Sequence, residues 1–586
     1  MKQFLKFTLA SILGTAIVLV FMCFMSFLML GAMMAADEGE VSLKNGMVLR
    51  ISLDGKIESQ QSDDFFSFLL KEDERVEADE LISAIREART NDKIKGIYLE
   101  GGAVSADLVV LSDVRRELDE FKQSGKFVLA YADNYDQTTY YLASVADTVL
   151  LNPTGQLNWH GATALVPFYT ELLEMIGVKA EVVKVGKFKG AVEPYLLTEM
   201  SPENRLQYQQ YIDGIWNDLC TPVSASRGIP VDSLKAYAGR YMAFAAPEEY
   251  VNLHFIDALA YDSEVRARLR SLSEKNKVKF VSPQELAKYA KSSGKGKNLV
   301  SVYYAEGSIV NSESPLNMLQ GQQLIVADKV VKDLDELSAD DDIKAVVLRV
   351  NSPGGDAAAS ERIWQAVKSL KEKKPVVVSM GDYAASGGYY ISCGASKIYA
   401  DPLTLTGSIG IYGLLFDQST LLNDKLKIHF DVVKTNEGAD FGNPGRSFTE
   451  QETGALQAYV DRGYESFLSA VAQGRGMTNE DVDEIAQGRI WTGRQALEIN
   501  LVDSLGSLDD ATAEAARMAS LDKWTVSIYS AKSSWMEKLL ETPGDDYMEG
   551  ELRSLLGIYY EPLLSVAAAC EGSGLQARMW GMPQFK

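Results

Sequence analysis

The stretch IKAVVLRV at residues 343–350 is a short aliphatic run, and a similar run, IKGIYLE, stands at residues 94–100. Runs of this length, rich in Val, Ile and Leu, are typical of strands buried on both faces. The later run is followed by ASERIWQAVKSLKEK (359–373), which has helical spacing of its apolar residues, and then by PVVVSM (375–380). This alternation of strand and helix predicts βαβ crossovers, an α/β fold and a largely parallel sheet.

The chain is a tandem duplication. The two runs begin 249 residues apart, at Ile94 and Ile343, and the same separation relates YYLASVADTVLLNP, which ends at Pro153, to YYISCGASKIYADP, which ends at Pro402. Matching segments on either side extend the copies to residues 46–275 and 299–525, with a Gly/Ser/Lys-rich linker at 290–298. Repeats found at a fixed separation indicate one structural unit used twice.

Composition excludes several function classes. The chain has 586 residues and a net charge of −23, which argues against a nucleic-acid partner because phosphates require a basic surface. Its four cysteines lack the spacing of a zinc site or a disulfide framework, and its three histidines stand in unrelated contexts. We therefore expect no metal and no cofactor.

An apolar, uncharged stretch covers residues 7–34. It exceeds the roughly 20 residues that cross a bilayer and the 7–15 residues usual for the core of a signal peptide. Lys2 and Lys6 precede it and acidic residues follow, so residues 1–6 are expected in the cytoplasm and the remainder outside. We predict an uncleaved transmembrane anchor, with a cleaved signal peptide as the alternative.

The two copies differ where chemistry is expected. Ser386, in GDYAASGGYYIS (381–392), has Gln137 as its counterpart, and the glycines of NSPGGD (351–356) are absent from the first copy. Conversely, Lys187 and Lys189 of the first copy have no lysine opposite them in the second. One copy thus carries a serine among glycines and the other carries lysines, which points to a serine activated by an amine.

A serine–lysine pair requires a lysine that is neutral near pH 7. The ordinary lysine pKa is about 10.4, and burial can lower it to about 7–8. Ser408, in a glycine-flanked turn, is the candidate that holds the amine. An oxyanion is stabilised by backbone N–H donors, for which Gly355 and Gly387 are the candidates.

The motifs NSPGGD (351–356), MGDYAASGGYYIS (380–392), LTGSIGIYG (405–413) and VGKFKGAVEPY (185–195) resemble the signal peptide peptidase A (protease IV) family in its long, duplicated, membrane-anchored form. The resemblance implies two ClpP/crotonase-like units. It also implies that Ser386 is the nucleophile, that Lys189 is the general base and that Ser408 orients the lysine. Gly190 departs from the family, in which serine is frequent at this position.

The resemblance further implies a serine endopeptidase of the bacterial inner membrane, with its catalytic part on the extracytoplasmic side. Its substrates would be cleaved signal peptides and other membrane-associated peptides, and its assembly would be a homotetramer. The C-terminal extension, 526–586, has no counterpart in the first copy. It could contain a helix for self-association or membrane contact, or one that packs on its own domain.

Other interpretations remain open at this point. A crotonase-type enzyme acting on acyl-coenzyme A would share the fold, although the net charge of −23 and the exported topology oppose it. A non-catalytic membrane scaffold would have lost the serine or the lysine, and a Ser-His-Asp triad has few candidate histidines. We expect Lys189 to meet Ser386 within one chain, with contact across a subunit boundary as the alternative.

Overall fold

Each copy forms a parallel sheet of its own. The computed structural model describes residues 43–59, 76–291, 298–312, 323–529 and 576–578. The predicted anchor at 7–34, most of the linker and most of the C-terminal extension lie outside these residues. Among the helices that are described, none combines the length and the apolar character needed to cross a bilayer.

The strands are numbered in chain order. In the first copy they are β1 (Met47–Glu58), β2 (Val76–Glu77), β3 (Ile94–Ala106), β4 (Phe127–Tyr135), β5 (Thr148–Leu157), β6 (Lys179–Lys184), β7 (Ala258–Leu259) and β8 (Lys279–Val281). In the rest of the chain they are β9 (Leu299–Glu306), β10 (Ser308–Val310), β11 (Leu324–Val326), β12 (Ile343–Ser352), β13 (Gly354–Asp356), β14 (Val376–Ala385), β15 (Lys397–Ala400), β16 (Leu405–Gly407), β17 (Tyr412–Asp417), β18 (Ile490–Thr492), β19 (Ser504–Leu505), β20 (Thr525–Ile528) and β21 (Gln576–Arg578).

The α-helices are numbered in the same way. Those of the first copy and the segment that follows it are α1 (Ala78–Thr90), α2 (Leu108–Lys122), α3 (Gln137–Ala143), α4 (Thr170–Ile176), α5 (Pro202–Arg227), α6 (Val231–Ala238), α7 (Pro247–Asn252), α8 (Asp262–Leu272) and α9 (Pro283–Lys291). Those of the second copy are α10 (Ala327–Ala339), α11 (Ala357–Lys371), α12 (Gly387–Ser392), α13 (Glu450–Arg475), α14 (Asn479–Ile485), α15 (Gly493–Glu498) and α16 (Leu508–Met518).

The predicted duplicated α/β fold is confirmed. The first copy has a seven-stranded parallel sheet in the order β2-β1-β3-β4-β5-β7, with β8 also paired to β1. The second copy has an eight-stranded sheet whose central order is β16-β14-β12-β9-β20. The aliphatic run at residues 343–350 lies in strand β12, which is buried along nearly its whole length, as a strand covered by helices on both faces must be.

Local sequence explains where the helices begin and which face they bury. Asp356 caps α11 by accepting a hydrogen bond from the N–H of Ala359 (2.8 Å). The buried residues of α11 then recur at helical spacing, with Ile363, Val367 and Leu370 on the face that packs against the sheet.

A third sheet joins the two copies. Strand β6 of the first copy pairs antiparallel with β17 of the second, from Lys179 opposite Asp417 to Lys184 opposite Tyr412. Because β6 leads directly into the segment that carries Lys189, this pairing delivers that segment to the second copy. The hydrophobic cores also merge, since Ala385 and Leu405 of the second copy belong to the core of the first.

A buried carboxylate fastens the copies at a second place. Asp382 lies in β14 and accepts hydrogen bonds from the backbone N–H groups of Leu108 and Val109 (both 2.7 Å) at the start of α2. The second copy therefore caps a helix of the first. Asp382 thus stabilises the contact between the two copies.

Candidate active site

Ser386 stands at the junction between strand β14 and helix α12 and is completely buried. Its backbone has φ of 56° and ψ of −115°, a conformation that a non-glycine residue rarely adopts. The N–H of Ser386 is held by the carbonyl of Gly407 (2.8 Å), and its own carbonyl accepts from Tyr390 (2.9 Å). The surrounding structure thus fixes a strained turn that presents one hydroxyl.

Lys189 meets this hydroxyl from the other copy. Its Nζ lies 2.9 Å from Ser386 Oγ, 2.9 Å from the carbonyl oxygen of Ser408 and 3.0 Å from Ser408 Oγ. All of these contacts lie within one chain, and Lys189 is only 1% exposed. The structure therefore brings together Lys189 of the first copy with Ser386 and Ser408 of the second, the three residues predicted from the sequence.

The environment of Lys189 favours the uncharged amine. Burial lowers the pKa of Lys189 from 10.5 to about 7. The contacts with Ser408 come from a carbonyl and a hydroxyl, which hold an amine without requiring its charge. At neutral pH a substantial fraction of Lys189 is therefore free of its proton and able to accept one.

The backbone of Ser408, like that of Ser386, is held by a hydrogen bond to a neighbouring segment. It follows strand β16, has φ of 51°, and donates its N–H to the carbonyl of Arg489 (2.7 Å). This bond turns the carbonyl and hydroxyl of Ser408 toward the lysine, where both lie within 3.0 Å of Nζ. Ser408 can thus orient the amine.

Gly488 provides the space that Lys189 occupies. A Cβ on Gly488 would lie 2.7 Å from both the backbone nitrogen and the Cβ of Lys189, and Gly488 also has φ of +78°. Any side chain at this position would displace the lysine and strain the backbone. Nothing in the sequence singles out Gly488, because the contact joins residues that are far apart in the chain.

The two candidate oxyanion donors occupy different surroundings. Gly387 is the first residue of α12, so its N–H has no acceptor within the helix. Gly355 lies in strand β13, which pairs with β10 on one side and with β21 on the other. Gly387 is the direct neighbour of Ser386 in the chain.

A short strand occupies the space between β13 and β17. Residues 576–578 pair antiparallel with Gly354–Asp356, and Gln576 also pairs with Tyr412 of β17. The edges of β13 and β17 are therefore spaced to accept one extended chain between them. Main-chain pairing of this kind is a common way to bind extended peptides.

The corresponding position in the first copy is closed. Gln137 donates from Nε2 to the carbonyl of Gly161 (3.0 Å), and its Oε1 accepts from the N–H groups of His160 and Gly161 (both 3.0 Å). The glutamine thus fills the site where the second copy has a hydroxyl. Trp159 is buried in the nearby core, as expected of a packing residue.

The remaining candidates lie away from the pair. Lys187 is exposed, and its amine lies 5.4 Å from the ring centroid of Phe188. The histidines His160, His254 and His429 are all exposed, whereas Ser386 is buried against Lys189. A triad that uses Ser386 and a histidine is therefore not formed.

Comparison with known proteins connects this geometry to a family. The model of peptidase family S49 matches residues 120–276 and 368–522, one range in each copy, and a Clp protease model matches residues 307–402. Protease 4 of Salmonella typhi is 33% identical over 527 residues, which are 86% of this chain and 82% of that protein. Protease 4 of Haemophilus influenzae is 35% identical over 465 residues, 75% of this chain and 72% of that protein.

A plant relative is similar over an even longer range. The chloroplastic serine protease SPPA of Arabidopsis thaliana is 28% identical over 550 residues, 92% of this chain and 78% of that protein. The similarity thus extends over both copies.

Proposed function

The chain belongs to peptidase family S49 and is a serine peptidase, and we propose that it cleaves peptide bonds with Ser386 as nucleophile and Lys189 as general base. The observation that carries this proposal is the 2.9 Å contact between Lys189 Nζ and Ser386 Oγ in a fully buried site. A buried amine beside a serine hydroxyl is one of the recurring ways to activate that nucleophile.

The reaction follows from the contacts. The lone pair of neutral Lys189 takes the hydroxyl proton of Ser386 as Oγ attacks the carbonyl carbon of the substrate, forming a tetrahedral intermediate. The ammonium then donates this proton to the leaving amine as the C–N bond breaks, which leaves an acyl-enzyme and a neutral lysine. Water then attacks the acyl carbon while Lys189 accepts its proton, and the ester bond to Ser386 Oγ breaks as Lys189 returns that proton to the serine, which releases the carboxylic acid product.

Ser408 and the glycines complete this mechanism. The carbonyl and hydroxyl of Ser408 hold the transient ammonium of Lys189 at 2.9 and 3.0 Å. The N–H groups of Gly387 and Gly355 are the proposed oxyanion donors, since a negatively charged oxygen gains most from fixed N–H dipoles in a site without water. For Gly387 the support is its place at the start of α12.

We propose that substrates bind as extended strands between β13 and β17. The support is strand 576–578, which takes this path and pairs with both neighbours. An extended chain exposes every peptide bond to a nucleophile beside it, which suits an endopeptidase.

The proposed substrates are cleaved signal peptides and other membrane-associated peptides. This proposal rests on the motif resemblance and on the apolar stretch at 7–34, which would anchor the enzyme in the bacterial inner membrane with the catalytic copies on the extracytoplasmic side.

A homotetramer is the proposed assembly. Its support is exposed apolar surface on the segments that surround β6 and β17, where Leu165 is 84%, Met175 67% and Val433 100% exposed. Light scattering of the full chain in detergent tests the proposal by measuring the mass of the particle. Four chains per particle are expected, and a monomer would contradict the proposal.

Two variants test the catalytic assignment. We expect Ser386→Ala and Lys189→Met each to lower hydrolysis of a fluorogenic peptide about a thousandfold or more, because each removes a group that acts in the chemical step. Lys179→Met is the matched control, since Lys179 is an exposed lysine of β6 paired with Glu181. Near-wild-type hydrolysis by either active-site variant would refute the dyad.

A further inference from the structure

Gln207 is a buried side chain outside the dyad that contacts the main chain of both copies. It lies in α5 and is 4% exposed. Its Nε2 donates to the carbonyl of Phe188 (2.9 Å), and its Oε1 accepts from the N–H of Ile490 (3.1 Å). Because one partner only accepts and the other only donates, the two contacts fix the orientation of the amide.

Both contacts are made next to the proposed catalytic residues. Phe188 directly precedes Lys189, and Ile490 begins strand β18. Strand β18 pairs with β16, in which Gly407 directly precedes Ser408. One amide therefore connects the segment that carries the lysine to the strands that position its partner serine.

The backbone N–H and carbonyl of Phe188 are both linked to the second copy. Its N–H donates to the carbonyl of Gln487 (2.9 Å), and its carbonyl reaches Ile490 through Gln207. The chain on either side of Lys189 has little freedom as a result. The link from the Phe188 carbonyl to the Ile490 N–H runs through the side chain of Gln207 rather than through a direct main-chain hydrogen bond.

A buried polar network holds Gln207 in turn. Asn204 Oδ1 accepts from Gln207 Nε2 (2.8 Å), and Asn204 Nδ2 donates to Glu193 Oε2 (2.8 Å). Glu193 also accepts from the hydroxyl of Ser201 (2.5 Å). Glu193, Asn204 and Gln207 are buried and Ser201 is half-buried, and all are mutually paired, an arrangement that rigidifies its surroundings.

Gly190 leaves room for this network. A Cβ on Gly190 would lie 2.3 Å from Asn204 Oδ1. The glycine that departs from the family pattern therefore matches its surroundings in this chain, because Gly190 packs directly against the side-chain amide of Asn204.

We propose that Gln207 is a positioning residue that fixes Lys189 against Ser386 and Ser408 by joining the main chains of the two copies. The inference rests on the proposed role of Lys189 as general base. Without the amide, the carbonyl of Phe188 and the N–H of Ile490 lose a buried partner. The segment around Lys189 then loosens and admits water.

Admission of water makes the role visible in a pH profile. Lys189 owes its pKa of about 7 to burial, so hydration raises that pKa toward 10.5. The titratable and charged groups nearby are Glu193 and Lys187 on the lysine's own segment, Tyr208 on α5, and Arg489. The amine of Lys187 and the guanidinium of Arg489 lie 5.4 and 5.2 Å from the Phe188 ring centroid. A glutamine-to-methionine change leaves all of these charges in place.

The test compares Gln207→Met with Gln209→Met. Gln209 is an exposed glutamine of the same helix that donates to Asp213 (2.8 Å), so its variant is a matched control. We expect Gln207→Met to lower kcat/KM about 10- to 100-fold at pH 7, and to move the acidic limb of its pH profile upward. Labelling of Ser386 by a fluorophosphonate should follow the same shifted limb, and Gln209→Met should match the wild type in both.

The outcomes separate this inference from the proposed function. The positioning role is overturned if Gln207→Met has wild-type activity, or if its activity falls while the acidic limb of its pH profile stays in place. The Lys189→Met variant tests the dyad separately. If Gln207→Met does not fold, Gln207→Leu provides the same readout, because it also removes both amide contacts without adding a charge. An unmoved limb in that variant also overturns the inference.

Discussion

The burial that allows Lys189 to act as a base also lowers the stability of the folded protein. Within the residues that the structure describes, it forms no ion pair, and burial lowers its pKa from 10.5 to about 7. The folded protein therefore binds fewer protons than the unfolded chain between these two pH values. Stability rises with pH wherever the unfolded state binds more protons. The buried lysine thus destabilises the fold most at pH 7 and below.

This linkage predicts that Lys189→Met is more stable than the wild type, and increasingly so as the pH falls. The pH-dependent part of this difference is roughly 5 kcal/mol below pH 7, from 1.36 kcal/mol per unit of pKa shift, and it falls to zero as the pH rises past 10.5. Denaturant unfolding of both proteins at several pH values measures it. If the difference in the free energy of unfolding between the two proteins stays constant with pH, the ammonium of Lys189 is not buried.

Ser386 and Ser408 add strain to the same site. Both have positive φ, 56° and 51°, although serine has a Cβ that disfavours this region. Strain of this kind persists only where neighbouring contacts determine the conformation, here the bonds to Gly407 and Arg489. The site is therefore held by the surrounding elements, and its geometry depends on them.

At the scale of the element, the loop before β18 determines whether Lys189 fits. We expect Gly488→Ala to abolish most peptidase activity, because its Cβ would lie 2.7 Å from Lys189 Cβ. Gly476→Ala is the matched control, since Gly476 has φ of +68° but no atom within 4 Å of its Cβ position. Both substitutions place an alanine at positive φ, which costs about 1 kcal/mol of backbone strain in each. Only the collision with Lys189 in Gly488→Ala distinguishes the two variants.

Activity assays and thermal unfolding of the two variants check this expectation. Activity lost in a folded Gly488→Ala protein but kept in Gly476→Ala, with the larger loss of stability in Gly488→Ala, supports it. Retained activity in Gly488→Ala would mean that the loop can move without displacing the lysine.

The sequence predicts the repeated elements well, because each depends on local pattern. Strand β12 and helix α11 can be recognised from their apolar spacing. Comparison of the copies selects Ser386 and the pair Lys187 and Lys189, and the family resemblance chooses Lys189 between the two lysines. The antiparallel pairing of β6 with β17 cannot be recognised in this way, because it joins strands from different copies. Gly488 and Gln207 escape notice for the same reason, since their importance lies entirely in contacts distant in sequence.

At the scale of the whole molecule, duplication permits a division of labour. The first copy has closed its own serine position with Gln137, and it contributes β6 and the lysine segment to the second copy. The second copy retains the glycine-lined turns around Ser386. Neither copy contains a complete dyad, so the fold of the single chain is what assembles the proposed site.

Assembly within one chain predicts that two inactive variants cannot rescue each other. Ser386→Ala and Lys189→Met, co-expressed with different tags and purified through both tags, should give mixed assemblies with no more activity than either variant alone. In each chain one member of the 2.9 Å pair is missing, and the β6–β17 pairing offers a chain its own lysine segment. Wild type co-purified with Ser386→Ala serves as the control for mixing, because its activity should scale with the wild-type share. If the doubly tagged mixture of inactive variants instead regains activity, the lysine must reach a serine of another subunit, and the division of labour would extend across the assembly.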